Sequence, residues 1–243
     1  MKPKLLVFTG AGISAESGVS TFRDADGVWA KADPDLVCNI ATWRQNFTAV
    51  HAFYDDMRIR LGEVEPNAAH HAVARWATEY ETTVITQNID DLFERAGCRN
   101  VIHLHGHLTQ MKCTACGHIW TIGHRGYDSE ERCAGLCGCK KGIKPNVVFF
   151  GERAPLYGLL SRAIDELTEE DVVIVIGTSG QVVPIHQMLE TKVAYKVLNN
   201  LEPSNSVYEA VLEECAYDIT IYKPATKAID DIDEILVNRL RYK

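Results

Sequence analysis

What this chain of 243 residues lacks narrows its role before any motif is considered. It has no basic excess: 25 Lys and Arg stand against 33 Asp and Glu, a net charge of −8. Coating a nucleic acid or an anionic membrane needs a basic surface, so neither partner is expected. No apolar run approaches the ~18 residues a membrane span requires. The first apolar run, Leu5 to Phe8, is too short for a signal peptide and leads straight into a glycine motif, so a cytoplasmic protein is expected. Internal repeats and low-complexity tracts are also missing, which excludes solenoids and disordered linkers. What remains, with 46% hydrophobic residues, can bury one large core and carry a smaller domain.

Cysteine is not scarce, but its placement is unlike that of a secreted disulfide scaffold. Five of eight cysteines fall between positions 113 and 139, and such clusters in a reducing compartment bind zinc more readily than they oxidise. Cys38, Cys98 and Cys215 are scattered and read as small apolar residues.

Short apolar runs at 5–9, 83–86, 101–104, 147–150, 172–177, 196–198 and 219–222 suit strands buried on both faces of a parallel sheet. Between them, 49–61, 67–79, 155–167, 184–193, 207–215 and 229–240 place apolar residues three or four apart, as helices do. The alternation predicts an α/β fold, a Rossmann-like doubly wound parallel sheet. Two long breaks, 20–44 and 107–146, read as functional insertions. The expected large domain covers about 1–28, 80–112 and 145–243, and a small domain comes from insertions at about 29–79, helical, and 113–144, zinc-binding.

Three polar motifs stand where strands run out: Gly10-Ala11-Gly12-Ile13-Ser14, Gln87-Asn88-Ile89-Asp90 and His103-Leu104-His105-Gly106. Ligand-handling residues of open α/β sheets gather at such strand ends. Gly10-x-Gly12-x-x-Ala15 lets backbone approach a pyrophosphate at a helix start, though a plain strand-to-helix turn needs the same glycines. The acidic residue that dehydrogenases carry ~20 positions on is missing. In its place runs a loop with Phe22, Arg23 and Ala25, suggesting closure over a bound cofactor.

Together with Thr21-Phe22-Arg23, the paired cysteines, Val147-Val148-Phe149-Phe150-Gly151-Glu152 and Gly177-Thr178-Ser179, these motifs closely resemble the sirtuins, from Leu5 to about Leu240. The likeness is to the bacterial type, close to the class III deacetylase and desuccinylase subfamily. It implies NAD-dependent removal of acyl groups from protein lysines, with transfer to ADP-ribose, in a cleft between a Rossmann-type domain and a zinc domain. It assigns Gly10, Ala11, Gly12, Ala15, Phe22 and Arg23 to NAD, Gln87 and Asn88 to its ribose, and Ile89 and Asp90 to its nicotinamide. Gly177, Thr178, Ser179 and Asn200 would hold the adenosine half. His105 would be the catalytic base, with Asn88 orienting ribose or water. A histidine suits that task because its ordinary pKa lies near neutrality. His103, on the opposite strand face, is read as structural, and most other histidines are not distinguished.

Cys113-x-x-Cys116 supplies half of a tetrahedral Cys₄ zinc site. For the other half, Cys133, Cys137 and Cys139 compete for two places. Measured back from Pro145, Cys139 stands where the family's last ligand usually stands, with Cys133 its better partner and Cys137 the alternative. Four thiolates leave no open position, so the ion would be structural.

The substrate side follows from the same resemblance. Val147, Val148, Phe149, Phe150 and Gly151 match a strand that pairs with substrate backbone. The resemblance also assigns Ala25 to the acyl pocket, small enough to permit a longer acyl chain; desuccinylases of the subfamily carry Tyr-x-x-Arg there, whereas this chain keeps Tyr54 but has Met57 in place of the arginine. Arg58 is one position, about 100° of helix, off that face, although it would serve if it swung in. The bland alternative puts Tyr54 and Arg58 in solvent. A buried carboxylate without its cation is strongly disfavoured, so deacetylation is expected to exceed desuccinylation. Other readings remain: desuccinylation or demalonylation as the main activity, ADP-ribosyl transfer or NAD hydrolysis in the same pocket, and an NAD-sensing module without turnover.

Overall fold

The computed structural model describes residues 3–19, 33–133, 135, 137–140, 142–204 and 206–241. Its centre is a six-stranded parallel sheet of β1 (Lys4–Thr9), β2 (Glu81–Thr86), β3 (Ile102–His103), β7 (Val172–Ile176), β8 (Tyr195–Asn200) and β9 (Ile219–Tyr222). The spatial order is β3-β2-β1-β7-β8-β9. The order reverses between β1 and β7, the switch point at which doubly wound folds bind ligands.

Strand periodicity explains the two-sided core. Leu5 and Val7 of β1, with Val172, Ile174 and Ile176 of β7, face one layer containing α4 (Ala68–Glu79) and α9 (Ala225–Leu236). Leu6, Phe8, Val173 and Val175 point the other way, onto α6 (Tyr157–Asp165) and α7 (Ile185–Glu190). Successive side chains of a strand alternate faces, so continuous apolar runs are what a sheet covered on both sides requires. A helix at Val207–Ala216, α8, packs beside α7, and a π-helical turn at Val237–Arg241 extends α9.

A second, antiparallel sheet has the order β5-β4-β6 and consists of β4 (Gly106–Cys113), β5 (Ile119–Thr121) and β6 (Ile143–Val147). Beside it lies α3 (Phe47–Leu61), whose Val50, Tyr54 and Leu61 share a cluster with Leu108, Val147 and Phe149. Two short helices, α2 (Pro34–Val37) and α5 (Leu92–Arg95), complete the described elements with α1 (Gly12–Ala15).

Two expectations need correction. The boundary at residue 79 misplaces α4: Ala69, Ala72, Val73 and Trp76 are buried on the large sheet, not in the small unit. The strand expected at 147–150 lies earlier, at Ile143–Val147, because it pairs with β4 and stops where the chain turns toward the cleft. Asn67 caps α4 with its side chain on Ala69 and His70 N–H, which is why a helix expected from 67 starts one residue later.

The sheet centre imposes one strict requirement. A Cβ on Gly12 would stand 2.6 Å from Gly177 Cα, main chain that cannot turn aside. Gly12→Ala should therefore lower stability by about 1–3 kcal/mol through overpacking. Urea unfolding checks this; a midpoint equal to wild type would show that the two loops can part freely.

Candidate functional site

The loops leaving β1 and β7 run against each other, with Gly12 N–H donating to Gly177 O at 2.9 Å and Gly10 N–H to Ile176 O at 3.0 Å. They form the floor of a cleft of about 1410 Å³. Gly10, Ala11, Gly12 and Ala15 line it, as do Gln87 through Asp90, His105, Gly177 through Ser179, and Asn200. Phe22, Arg23 and Ala25 lie outside the described residues.

His105 is poised by its two ring nitrogens. Nδ1 is 2.9 Å from Gln87 O, a carbonyl that can only accept, so Nδ1 carries the proton. Nε2 then keeps its lone pair and accepts from Tyr157 OH at 2.8 Å. Burial lowers the pKa of His105 below its ordinary value, outweighing the opposing carbonyl contact. Burial also raises the phenol of Tyr157, which stays protonated at neutral pH. A ribose hydroxyl can reach Nε2 only by displacing that phenol. The next residue must be glycine: Gly106 has φ +91°, and a Cβ there would meet Asn146 O.

Behind the cleft, Ser14 Oγ joins three side chains. It donates to Asp90 Oδ2 at 2.9 Å, accepts from Asn88 Nδ2 at 3.1 Å, and lies 3.3 Å from His70 Nε2. His70 Nδ1 faces Asn67 N–H, so Nε2 bears the proton and donates to Ser14. Burial, with His71 adding, holds the His70 pKa down to about 4, so the ring is neutral. Burial raises the pKa of Asp90, opposed by its bonds from Ser14 and Leu92 N–H. Ser14 was named in the glycine motif but given no role, and His70 and Tyr157 were not singled out in sequence. Asn67-x-x-His70 is a legible capping pair, but nothing in sequence pairs Tyr157 with His105.

The cofactor half of the cleft suits a dinucleotide. Glycine main chain and the amides of Gln87, Asn88 and Asn200 offer contacts for phosphate and ribose hydroxyls. Asn200 Nδ2 donates to Thr178 O at 2.9 Å, and Gln87 Nε2 to Thr178 Oγ1 at 2.9 Å, linking the halves of the wall.

The substrate half departs from expectation. Residues 148–152 are not a strand, since Val148 N–H already donates to His105 O at 2.8 Å and Phe150 N–H to Cys38 O at 2.8 Å. Phe149 N–H is taken by Glu152 Oε2, and Gly151 turns the chain at φ +79°. Val147 through Gly151 nonetheless line the cleft.

Tyr54 and Arg58 are both buried, not solvent-facing. Tyr54 stacks on Phe149 with ring centroids 5.6 Å apart and hydrogen-bonds Cys38. Arg58 cannot swing in: it is fully buried, Nε donates to Leu108 O at 2.8 Å, and it pairs with Asp55. Releasing it would strand that carboxylate and carbonyl. Met57 lines the cleft beside Tyr54, and the nearby exposed guanidinium, Arg60, pairs with Asp56.

The sulfur geometry bears on the choice that the sequence left open. The sulfurs of Cys113, Cys116, Cys133 and Cys137 all lie within 4.8 Å of one another, as four thiolates around one zinc do. Cys139 was the first expectation for the last place, with Cys137 its alternative. It lies 3.1 Å from both Cys113 and Cys137 sulfurs, beside the group rather than within it.

The matching family model is the Sir2 family, over residues 10–184. An NAD-dependent protein deacylase of Helicobacter hepaticus is 43% identical, covering 96% of this chain and 97% of its own. One of Caulobacter vibrioides is 38% identical, covering 98% of each. A crystal structure of a Sir2 homolog–NAD complex is similar with TM-score 0.79 and 32% identity, covering 98% of this chain and 90% of that one.

The cysteine geometry separates two single substitutions. Cys137→Ser is expected to lose the zinc and loosen the cluster of Met111, Ile122 and Ile143 beneath it, whereas Cys139→Ser retains one zinc per chain. Metal analysis of the purified variants decides it; the opposite pattern would restore Cys139 as the ligand.

Proposed function

The chain belongs to the Sir2 family and is an NAD-dependent protein deacylase, and we propose that His105 is its base and that neutral acyl groups on protein lysines are its preferred substrates. The observation that carries the first part is the tautomer of His105, whose unprotonated Nε2, bonded to Tyr157 OH, faces the cleft shared with Gln87, Asn88 and Asp90. NAD, when bound, supplies a ribose carbon that accepts the acyl oxygen as nicotinamide departs. Asn88, fixed by Ser14, orients the ribose, and Asp90 receives the carboxamide end. His105 Nε2 takes a proton from a ribose hydroxyl, helped by a neutral resting state. The peptide lies along 147–151, whose main chain is tied to His105 through Val148.

The acyl preference rests on the pocket wall beside Tyr54. Met57 offers no charge, and Arg58 is committed elsewhere. A succinyl carboxylate would enter without a buried cation, which costs far more than burying an acetyl methyl. We also assign the chain to a reducing compartment, the cytoplasm, because its cysteine cluster is arranged as a thiolate metal site rather than as disulfides. No helix among the described residues is long and apolar enough to cross a membrane.

Mass spectrometry of matched acetyl-lysine and succinyl-lysine peptides with NAD tests the preference. Wild type should favour acetyl, and Met57→Arg should shift the succinyl-to-acetyl ratio by at least about 10-fold, the effect of one charge-assisted hydrogen bond. Faster desuccinylation by wild type would overturn it.

The pH dependence tests the base. A base works in its neutral form, present above its pKa, and burial moves that pKa below 6.5. Deacylation kcat/KM should therefore rise with pH through a midpoint below 6.5 and be flat at neutrality. A midpoint above 6.5, or an unchanged profile in a still-active His105→Ala variant, would remove His105 from the role.

A further inference from the structure

A second group of ligating side chains lies behind the catalytic loop, away from the cysteines. A carboxylate oxygen of Glu94 and one ring nitrogen each of His103 and His107 lie within 4.8 Å of one another. They come from α5, β3 and β4, elements the sheet edge brings together, and the two imidazole rings are 4.7 Å apart. Both rings are oriented from behind. His103 Nδ1 is 2.8 Å from Asn88 O, so it carries the proton and leaves Nε2 facing Glu94 Oε1 at 2.9 Å. His107 Nδ1 is 2.9 Å from Thr109 Oγ1; with that hydroxyl accepting from Nδ1–H, Nε2 is the nitrogen that can ligate. A ring N–H held by a carbonyl, which frees the opposite nitrogen to ligate, is the usual support of a metal-binding histidine.

We infer that Glu94, His103 and His107 form a second divalent-cation site, distinct from the cysteine cluster and suited to a borderline transition ion such as Zn²⁺. Two imidazoles and one carboxylate fit that class, whereas Ca²⁺ and Mg²⁺ prefer oxygen ligands throughout. Three protein ligands leave the fourth position open.

His103 Nε2 and Glu94 Oε1 already face each other at 2.9 Å, and a cation bound between them replaces that hydrogen bond, its proton leaving to solvent. Asp91 stands beside His107 and holds His124 at 2.8 Å, adding negative charge at the rim. Because His103 Nδ1–H is bonded to Asn88 O, the cation would sit one hydrogen bond behind a residue of the cleft.

The test uses the holoprotein with its cysteine-bound zinc, titrated with further Zn²⁺ and followed by metal analysis after gel filtration and by calorimetry. Wild type should take up a second equivalent, and Glu94→Gln and His107→Ala should each weaken that step at least about 10-fold while keeping the first zinc. Co²⁺ added as the second equivalent should show d–d bands without thiolate charge transfer. The inference is overturned if wild type stays at one equivalent, if both variants bind the second as tightly, or if the added Co²⁺ has thiolate bands.

Discussion

The site depends on one hydroxyl. Ser14 sits in the first turn after the glycine motif, and its Oγ is buried where the loops after β1 and β2 meet. A hydroxyl has one proton to give and two lone pairs to offer, and here all three are used: Asp90 receives the proton, and Asn88 and His70 donate. Each partner is itself buried, so none can turn to water if the junction breaks. That saturation holds Asn88 and Asp90 at the cleft, and it depends in turn on the place of α1. The loop before α1 is held by the close approach of Gly12 to Gly177, so the cofactor floor and the catalytic loop share one anchor.

A second constraint holds α3, the antiparallel sheet and the 148–152 turn together. Arg58 of α3 is buried and reaches Leu108 O on β4 while pairing with Asp55 of its own helix. Lys144 of β6 is equally buried, bonded to Val147 O and Glu152 and lying 3.9 Å over the Phe149 ring. Burial lowers the Lys144 pKa, opposed by Glu152. Buried charges of this kind are costly unless fully paired, and both are paired to main chain that shapes the substrate wall. They act as braces of the cleft, which explains why a basic residue next to the acyl pocket in sequence is no part of it in space.

Sequence made some of this legible and hid the rest for physical reasons. Parallel strands buried on both faces read as continuous apolar runs, so β1, β7 and β9 were expected nearly to the residue. The strand-end motifs were legible because glycine and amide residues are rare there without a ligand to meet, and Gln87, Asn88, Asp90 and His105 do converge on one cleft. What failed was what spacing cannot decide. Three sulfurs within seven residues compete by backbone curvature, not by count, and the curvature brings Cys137 into the group. The 147–152 segment has strand composition, but its N–H groups are spent on His105, Cys38 and Glu152. Arg58 was placed correctly by helix angle, yet whether it faces solvent or core depends on β4, which is remote in sequence.

The bond from Val148 N–H to His105 O has a consequence for how specificity can vary. His105 and the 147–151 segment are joined through main chain at 2.8 Å, and the Gln87 carbonyl orients the His105 ring from one side while Tyr157 OH meets it from the other. The two main-chain contacts do not depend on side-chain identity. The acyl pocket, by contrast, is faced by α3 side chains such as Tyr54 and Met57, on a helix whose own position is held by Arg58 from the far side. On the proposed reading, a change at Met57 alters what the cleft accepts without touching the contacts of His105, the Gly12–Gly177 floor or the braces. The groups around His105 and the α3 face that lines the cleft are, on that reading, separable, which is how one scaffold can keep a reaction while its acyl substrates change.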